Sequence, residues 1–271
     1  MWGVWVKEIV NMWKYGAMVA LTVLCAGVYM LLLLPSKSIP IIPGITEIRP
    51  ATLLPVIFGL LFGPAGAWGS AIGNLGGDLF GTLSAGSIFG FIGNFLYAYI
   101  PYKLWRLIKP IRGEDRTPTI NTPWKLAQFG IISFMATSAC ALVIAWGCDV
   151  LKMASFTALS IIIVLNNAMI TLFLGPFILP ILYPVVKKQK LLWTDIMYPC
   201  DISSPSTDRL YPLMITVGST GGLGAGIAAG AGIAGQTILG QNMSTVGAGN
   251  PFTACITLPF LLILLYGSYK A

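Results

Sequence analysis

Residues 49–102 read RPATLLPVIFGLLFGPAGAWGSAIGNLGGDLFGTLSAGSIFGFIGNFLYAYIPY, and this stretch decides the fold. It contains two apolar segments that flank a run in which glycine recurs at every fourth position. On a helix this spacing forms a groove without side chains, in which a neighbouring helix can lie at backbone contact. The stretch therefore predicts closely packed helices and not isolated ones. The glycines of this first ladder are Gly69, Gly73, Gly77 and Gly81.

Two polar residues, Asn74 and Asp78, accompany the first ladder. They are four residues apart, so they stack on one face of the same helix. A bare carboxylate in hydrocarbon costs roughly 2.5 to 3.5 kcal/mol on insertion scales. We expect no lysine or arginine within a membrane span to neutralise Asp78. The pattern therefore predicts that this helix forms the wall of a binding cavity.

The composition identifies the class of protein. Of 271 residues, 56% are hydrophobic and 9% are charged, whereas ordinary soluble domains carry about 25% charged residues. Apolar segments of about 20 residues each cross a bilayer, and the length allows about eight of them. We therefore predict an all-α, polytopic membrane helix bundle in contact with the lipid bilayer. The net charge of +7 lies between the apolar segments, which indicates topology signals and not a nucleic-acid partner.

The distribution of positive charge orients the predicted helices. Thirteen of the sixteen lysines and arginines fall at the two termini and in the loops after the fourth and sixth spans. This asymmetry predicts that both termini are cytoplasmic, in a prokaryotic cytoplasmic membrane. The first span is expected to end before Pro35, and residues 35–50 are expected to form a proline-rich loop. The predicted spans are 16–34, 51–62, 66–83, 88–107, 126–148, 156–185, 211–240 and 251–266.

With this topology, polar groups from one loop and four helices gather in the outer half of the membrane. Two alternatives stay open: Glu47 and Arg49 pair with each other at the interface, or Asn74 and Asn94 form an interhelical hydrogen bond worth about 1 kcal/mol. Asp149 is expected to be solvated at the membrane boundary. The predicted substrate-binding residues are Glu47, Arg49, Asn74, Asp78, Asn94, Trp146, Asn166 and Asn167.

The sequence offers no set of catalytic residues. It has no histidine, no nucleophile elbow and no phosphate-binding loop, and its five cysteines lack metal-ligand spacing. We therefore predict that the chain is not an enzyme and holds neither a cofactor nor a metal. If it moves a solute uphill, the energy comes from an ion gradient or from another protein.

Two motifs resemble a known family. The runs LFGPAGAWGSAIGNLGGDLFG (61–81) and GFIGNFLYAYIPYKLWRL (90–107) resemble the middle of the S components of energy-coupling factor (ECF) transporters. In that family a phenylalanine-glycine-proline turn, a glycine-rich helix with an acidic residue and a helix ending in a proline-aromatic-basic stretch recur. The resemblance extends over residues 16–188.

The resemblance implies a fold and a set of partners. S components have six helices and bind a vitamin or a related small solute in an outward cavity. They depend on a transmembrane T component and on ATPase subunits. Residues 1–190 would form this six-helix solute-binding core, and residues 191–271 would add two C-terminal membrane helices. A second glycine ladder in these helices, at residues 218, 222, 226 and 230, is expected to pack against the first.

The first helix carries small residues four apart, at Gly16 and Ala20. Such a pair lets another helix approach closely, either within this chain or on a partner. In S components the corresponding small residues contact the T component, although the family usually has alanine where this chain has Gly16. The resemblance therefore implies a partner-helix contact at Gly16 and Ala20.

Two hypotheses for function follow. The first is a solute-binding subunit of an ATP-driven importer, whose aromatic, amide and carboxylate groups suit a heterocycle with amino or hydroxyl substituents. The alternative is a sensory or scaffolding membrane module without transport activity. Input domains of the MASE1 type show similar arginine-proline and glycine-proline patterning, although they are normally fused to an output domain.

Overall fold

A computed structural model of the chain describes residues 7–36, 40–42, 46–47, 49–80, 83–108, 116–203, 208–234 and 248–271. These residues are almost entirely helical, which confirms the predicted all-α membrane bundle. The helices are α1 (Lys7–Asn11), α2 (Gly16–Ser36), α3 (Leu54–Phe62), α4 (Pro64–Leu79), α5 (Ser87–Leu107), α6 (Pro123–Val150), α7 (Phe156–Lys188), α8 (Trp193–Ile196), α9 (Leu210–Thr216), α10 (Gly222–Ala234) and α11 (Pro251–Lys270).

Short elements connect these helices. Single 3-10 turns lie before α2 (Met12–Lys14), before α3 (Pro50–Leu53) and between α8 and α9 (Pro199–Asp201). A π-helical turn (Val217–Gly221) joins α9 to α10. The proline-rich segment contains a small antiparallel hairpin of β1 (Pro40–Ile42) and β2 (Thr46–Glu47). The expectation that α2 ends before Pro35 is wrong, since the helix runs to Ser36. A proline in the last turn removes only one hydrogen bond, which membrane helices tolerate.

The described residues contain five helices that are long and apolar enough to cross a membrane. The segment Pro50–Phe62 is a shorter apolar helix. Two further helices lie between it and the second of the five: α4 has 16 residues, and α5 has Lys103 and Arg106 in its last turns. The five candidate spans are Gly16–Pro35, Pro123–Val150, Phe156–Ile196, Leu210–Ala231 and Pro251–Lys270.

The first glycine ladder packs α4 directly against α2, as predicted. A Cβ built at Gly69 would lie 2.4 Å from the Cβ of Cys25, and one at Gly73 would lie 2.7 Å from the carbonyl oxygen of Ala26. No side chain fits at these positions unless the two helices separate. Gly81 lies outside the described residues.

The turn between α3 and α4 also requires glycine. Gly63 has a φ of +53°, and a Cβ there would lie 2.7 Å from the indole of Trp193. A side chain at this position would meet both backbone strain and a ring. The turn folds α4 back along α3, and the indole of Trp193 in α8 packs against Gly63.

The second glycine ladder packs elsewhere than expected. A Cβ at Gly218 would lie 2.6 Å from the backbone nitrogen of Leu264 in α11, and one at Gly230 would lie 2.2 Å from Thr157 Oγ1 in α7. The expected contact between the two ladders is therefore wrong. The first ladder is already covered by α2, and the C-terminal helices pack on α6 and α7.

A polar cluster, the terminal clamp, ties the N-terminal segment to α5 and to the connector after α8. The Glu8 carboxylate is fully buried, lies 2.6 Å from Lys103 Nζ and accepts a hydrogen bond from the Ser203 backbone N–H at 2.9 Å. Beside it, Asp201 accepts hydrogen bonds from Asn11 at 2.7 Å and from the Tyr15 hydroxyl at 2.6 Å. We define the terminal clamp as Glu8, Asn11, Tyr15, Lys103, Asp201 and Ser203.

The terminal clamp corrects one expectation. Lys103 lies within the predicted fourth span and is only 2% exposed, so a lysine does lie within a span. It pairs with Glu8 and not with Asp78. Burial raises the pKa of the Glu8 carboxyl, but the charge of Lys103 and the hydrogen bonds from Lys103 and Ser203 outweigh it, so the pKa lies below its usual value.

Candidate functional site

A cavity of about 220 Å³ opens at the end of the bundle opposite the N-terminus. The last turns of α2, α4 and α6 and the first turns of α5 and α7 surround it. Because five helices and two connecting segments contribute, the site forms only when the whole core is folded. The lining residues are Tyr29, Leu33, Arg49, Thr52, Asn74, Asp78, Ser84, Gly86, Ser87, Gly90, Asn94, Cys140, Ile144, Cys148, Leu159, Ile163 and Asn167.

Five of the eight predicted binding residues line this cavity, namely Arg49, Asn74, Asp78, Asn94 and Asn167. Their exposure decreases with depth: Arg49 is exposed, Asn74 and Asp78 are half-buried, and the two remaining asparagines are buried. The side chains therefore form a path from a charged mouth to an amide floor. Such a path offers polar groups at several depths.

The amide of Asn94 is held in one orientation at the floor. Its Oδ1 accepts a hydrogen bond from the Tyr29 hydroxyl at 2.8 Å, and its Nδ2 donates to the carbonyl of Gly90 at 2.9 Å. A primary amide has a second N–H and a second lone pair on its oxygen. Asn94 thus keeps donor and acceptor capacity while its side chain is fixed.

Asn74 and Asp78 face α5 across the cavity, where that helix has a glycine. A Cβ at Gly90 would lie 2.9 Å from Asn74 Nδ2 and 3.8 Å from an Asp78 carboxylate oxygen. The missing side chain at Gly90 therefore leaves room in which these two groups reach the cavity. The first ladder supports the same arrangement from the other side of α4, because it fixes α4 on α2.

The mouth of the cavity is set by the segment that precedes α3. The Thr52 hydroxyl donates to the carbonyl oxygen of Arg49 at 2.8 Å, which fixes the backbone at the start of this turn. The lining residues include one cation, Arg49, and one carboxylate, Asp78. The charges of the described lining residues therefore balance, which suits a neutral or zwitterionic solute. The side chain of Glu47 lies outside the described part of the structure.

Two predicted binding residues do not line the cavity. The indole N–H of Trp146 donates to the carbonyl of Ala254 in α11 at 3.2 Å, and its ring stacks edge-on against Phe89. Trp146 therefore attaches the C-terminal helices to the core. Asn166 is half-buried on α7 but points away from the lining, whereas its neighbour Asn167 takes part in it.

The expectation that Asp149 is solvated is wrong. Its side chain is 1% exposed, and it accepts hydrogen bonds from the backbone N–H groups of Phe156 and Gly249 at 3.3 and 3.2 Å. The carboxylate thus satisfies orphan donors at the start of α7. It also anchors the turn before α11.

Sequence reasoning missed several lining residues, of which Tyr29 is the most informative. It lies on the face of α2 that meets the first ladder, since a Cβ at Gly73 would be 3.0 Å from its Cβ. The ladder spacing identifies this face, and the only tyrosine of α2 lies on it. Ser84, Ser87, Cys140 and Cys148 carried no signal, because small residues of this kind are common in membrane helices.

A network of hydroxyl groups lies about one helical turn below the cavity floor. The Tyr97 hydroxyl is 2.8 Å from Thr171 Oγ1 and 3.3 Å from the carbonyl of Asn167, and Thr137 donates to it at 3.5 Å. All of these groups are buried. The network joins α5, α6 and α7 and holds the Asn167 backbone in place.

The predicted partner-helix contact lies on a face of α2 other than the one that carries Tyr29. Gly16 and Ala20 are both exposed, and a Cβ at Gly16 would meet no atom within 4 Å. No helix of the described part of the chain covers this face. Packing within the chain, the alternative left open by the sequence, therefore does not account for Gly16.

The groups in the cavity are suited to binding a polar solute. Among the described residues, no group of three or more His, Cys, Asp or Glu side chains lies close enough together to hold a metal ion. The polar groups of the described lining residues are amides, hydroxyls, two thiols, one carboxylate and one guanidinium. They can hold a polar heterocycle through directional hydrogen bonds.

Comparison with known proteins identifies the class of transporter. The family model described as QueT transporter matches residues 19–184, more than half of the 271-residue chain. No curated protein and no solved structure matches the chain. The match begins in α2 and ends in α7, so it spans every helix that lines the cavity. The chain therefore belongs to the QueT transporter family, which consists of membrane S components of ECF transporters.

Proposed function

We propose that this chain is the solute-binding subunit of an ATP-driven ECF importer and that its solute is a queuosine precursor or a similar small heterocycle. The observation that carries the proposal is the cavity at the outer ends of the helices, where Asn74, Asp78, Asn94 and Asn167 converge. The QueT family is associated with a queuosine precursor.

The chemistry of the cavity fits such a solute. Queuosine is a modified guanine nucleoside, and a guanine-like ring presents adjacent N–H donors beside a carbonyl acceptor. The Asp78 carboxylate can accept from two neighbouring N–H groups, and the amide N–H of Asn74 or Asn94 can donate to a carbonyl oxygen. Arg49 at the mouth adds a planar guanidinium, which stacks on ring systems. A cavity of about 220 Å³ is below the roughly 300 to 1,000 Å³ of sites for drug-sized ligands, which favours a single small heterocycle.

The surface of α2 supports a partner-helix contact. Gly16 and Ala20 are exposed, and a helix of a T component can approach them closely. The C-terminal helices pack on α6 and α7 and leave this face open. We therefore propose that residues 1–190 form the solute-binding core that docks the T component and ATPase subunits. Within residues 191–271, the helices α9 to α11 pack on the side of α6 and α7.

The charge distribution supports an orientation with the solute cavity facing outward. Thirteen of the sixteen lysines and arginines belong to the two termini and to the loops after the predicted fourth and sixth spans, and this asymmetry favours a cytoplasmic location for the end of the bundle where the N-terminal segment lies. The cavity lies at the other end. A solute would enter it from outside the cell.

The test is calorimetric titration of a guanine-like queuosine precursor into the purified protein. We expect the wild type to bind it, and Asp78→Asn to bind about tenfold or more weakly, because a hydrogen bond to a charged group contributes about 1.5 to 3 kcal/mol. Asp195→Asn removes an exposed carboxylate at the other end and serves as the matched control. Equal affinity of Asp78→Asn and wild type would exclude Asp78 from the site. If no guanine-like heterocycle binds the wild type, the proposed solute class is refuted.

A further inference from the structure

A second cavity, larger than the first, lies at the opposite end of the bundle. Its volume is about 430 Å³, and the ends of α3, α5 and α7 enclose it together with α8. We call it the basic cavity and define it by Tyr102, Arg106, Arg116, Lys187, Trp193 and Asp195. Among its described lining residues, three side chains carry a positive charge and one carries a negative charge. It shares no lining residue with the solute cavity.

Arg106 is the fixed cation of the basic cavity. Its Nη2 donates to the carbonyl of Ser203 at 2.9 Å, and its guanidinium lies 5.0 Å from the ring centre of Trp193. The side chain is 21% exposed, so it is held in place but reachable. A guanidinium that is stacked and oriented in this way presents its remaining N–H groups in a fixed direction.

The carboxylate of Glu8 does not cancel the charge of Arg106. The distance from Arg106 Nη1 to Glu8 Oε1 is 3.9 Å, whereas Lys103 Nζ is 2.6 Å from the same oxygen. Glu8 is therefore shared between two cations. The buried group of three retains one net positive charge beside the cavity, where the low dielectric strengthens its field.

The other two cations enter from separate elements. Arg116 belongs to the segment before α6, and Lys187 lies in the last turn of α7, with its Nζ 5.6 Å from the ring centre of Tyr183. Both residues are exposed. Three like charges brought to one concave site repel each other unless an anion is present. Asp195 offsets one of the three charges and leaves an excess.

We propose that the basic cavity binds a phosphate group through Arg106, Arg116 and Lys187. The phosphate is carried either by an anionic phospholipid headgroup or by a soluble phosphate ester. Arginine forks match phosphate oxygens in a bidentate manner, and basic pockets between membrane helices recognise anionic headgroups. The aromatic walls formed by Tyr102 and Trp193 suit the boundary between headgroups and acyl chains. The proposal does not depend on the identity of the transported solute.

The test is titration of three probes into the full chain in a neutral detergent, followed by calorimetry. The probes are short-chain phosphatidylglycerol, short-chain phosphatidylcholine and glycerol phosphate. We expect phosphatidylglycerol to bind in preference to phosphatidylcholine and to bind more weakly as the salt concentration rises. Binding of glycerol phosphate at similar affinity identifies a soluble ester as sufficient. Binding of phosphatidylglycerol alone identifies the lipid.

Two paired variants locate the binding. Arg116→Gln combined with Lys187→Gln is expected to weaken phosphatidylglycerol binding at least about tenfold, since each charged hydrogen bond lost is worth about that factor. Lys188→Gln combined with Lys190→Gln removes the same charge from exposed residues outside the lining and is expected to change the affinity less than twofold. Equal weakening by both pairs, or no binding of either phosphate probe by the wild type, would overturn the proposal.

A measurement on the unaltered chain covers the case in which the variants do not fold. Lysine acylation followed by mass spectrometry is expected to show that phosphatidylglycerol or glycerol phosphate protects Lys187 several-fold while Lys188 reacts as before. Equal reaction of the two lysines with and without the probe would refute the basic cavity as the site. Because solute binding is measured separately at the other end of the molecule, failure of one proposal leaves the other intact.

Discussion

Replacing Gly73 by alanine tests whether the first glycine ladder sets both the stability of the core and the shape of the solute cavity. The added Cβ would lie 2.7 Å from the carbonyl oxygen of Ala26 and 3.0 Å from the Cβ of Tyr29. Both neighbours are backbone or near-backbone atoms, so neither can rotate away. The helices α2 and α4 must separate by several tenths of an ångström.

The magnitude follows from two opposing effects. Overpacking of a tight interface costs about 1 to 3 kcal/mol, and the better helix propensity of alanine returns about 0.5 to 1 kcal/mol. We expect a net loss of about 1 to 2 kcal/mol in the free energy of unfolding, or a fall in Tm of about 2 to 8 °C for a chain of this size. The movement of Tyr29 also disturbs its hydrogen bond to Asn94, so solute affinity should fall.

The assay compares Gly73→Ala with Gly27→Ala in the same detergent, by thermal unfolding and by solute titration. Gly27 lies on α2, but a Cβ there meets no atom within 4 Å. This control therefore gains helix propensity without a clash, and its Tm should equal or exceed that of the wild type. The reasoning is refuted if Gly73→Ala is as stable as Gly27→Ala and binds solute with unchanged affinity.

Three further predictions concern the terminal clamp and the attachment of the C-terminal helices. Glu8→Gln removes the charge opposite buried Lys103 and should cost about 3 to 5 kcal/mol in the free energy of unfolding. The double variant Glu8→Gln, Lys103→Gln should recover much of that loss. If Glu8→Gln alone is as stable as the wild type, the pairing is contradicted. The hydrogen bond from Tyr15 holds the pKa of the Asp201 carboxyl below its usual value, so this contact should be fully present above the unfolded-state pKa of about 4 and lost as pH falls through the lower folded-state pKa. The protection factor of the residues 198–203 against hydrogen exchange, measured relative to the intrinsic rate at each pH, should therefore fall only in acid, and a fall near neutral pH would argue against it. Trp146→Phe removes one hydrogen bond to α11 and should lower stability by about 1 kcal/mol while solute affinity stays unchanged; a large loss of affinity would return Trp146 to the binding site.

The fold was predictable because its strongest signals are local. Apolar length and glycine spacing act within one helix or between two adjacent ones, and the spacing of Gly69 and Gly73 predicted a close helix contact, which the structure shows to be with α2. The partner of the second ladder was not predictable in the same way. A smooth helix face indicates close packing but does not identify which of several apolar helices fills the groove.

The site was partly predictable for a related reason. The side chains of Asn74, Asp78 and Asn94 stand out because polar groups are expensive in hydrocarbon, and the helix ends bring them together. The position of Trp146 could not be predicted in this way, because an indole packs equally well between helices and against a ligand. The ion pair of Glu8 and Lys103 joins residues 95 positions apart. A pairing of that kind depends on the folded path of the chain, which spacing does not encode.

One consequence follows from the two faces of α2. Tyr29 lines the solute cavity, whereas Gly16 and Ala20 are exposed on the outside of the same continuous helix. A solute that changes the hydrogen bond between Tyr29 and Asn94 therefore acts on the same helix, α2, that carries the exposed face of Gly16 and Ala20. Thermodynamic linkage makes such an effect mutual. If the bound solute changes the affinity of that face for a partner helix by some factor, the bound partner helix changes the affinity for the solute by the same factor.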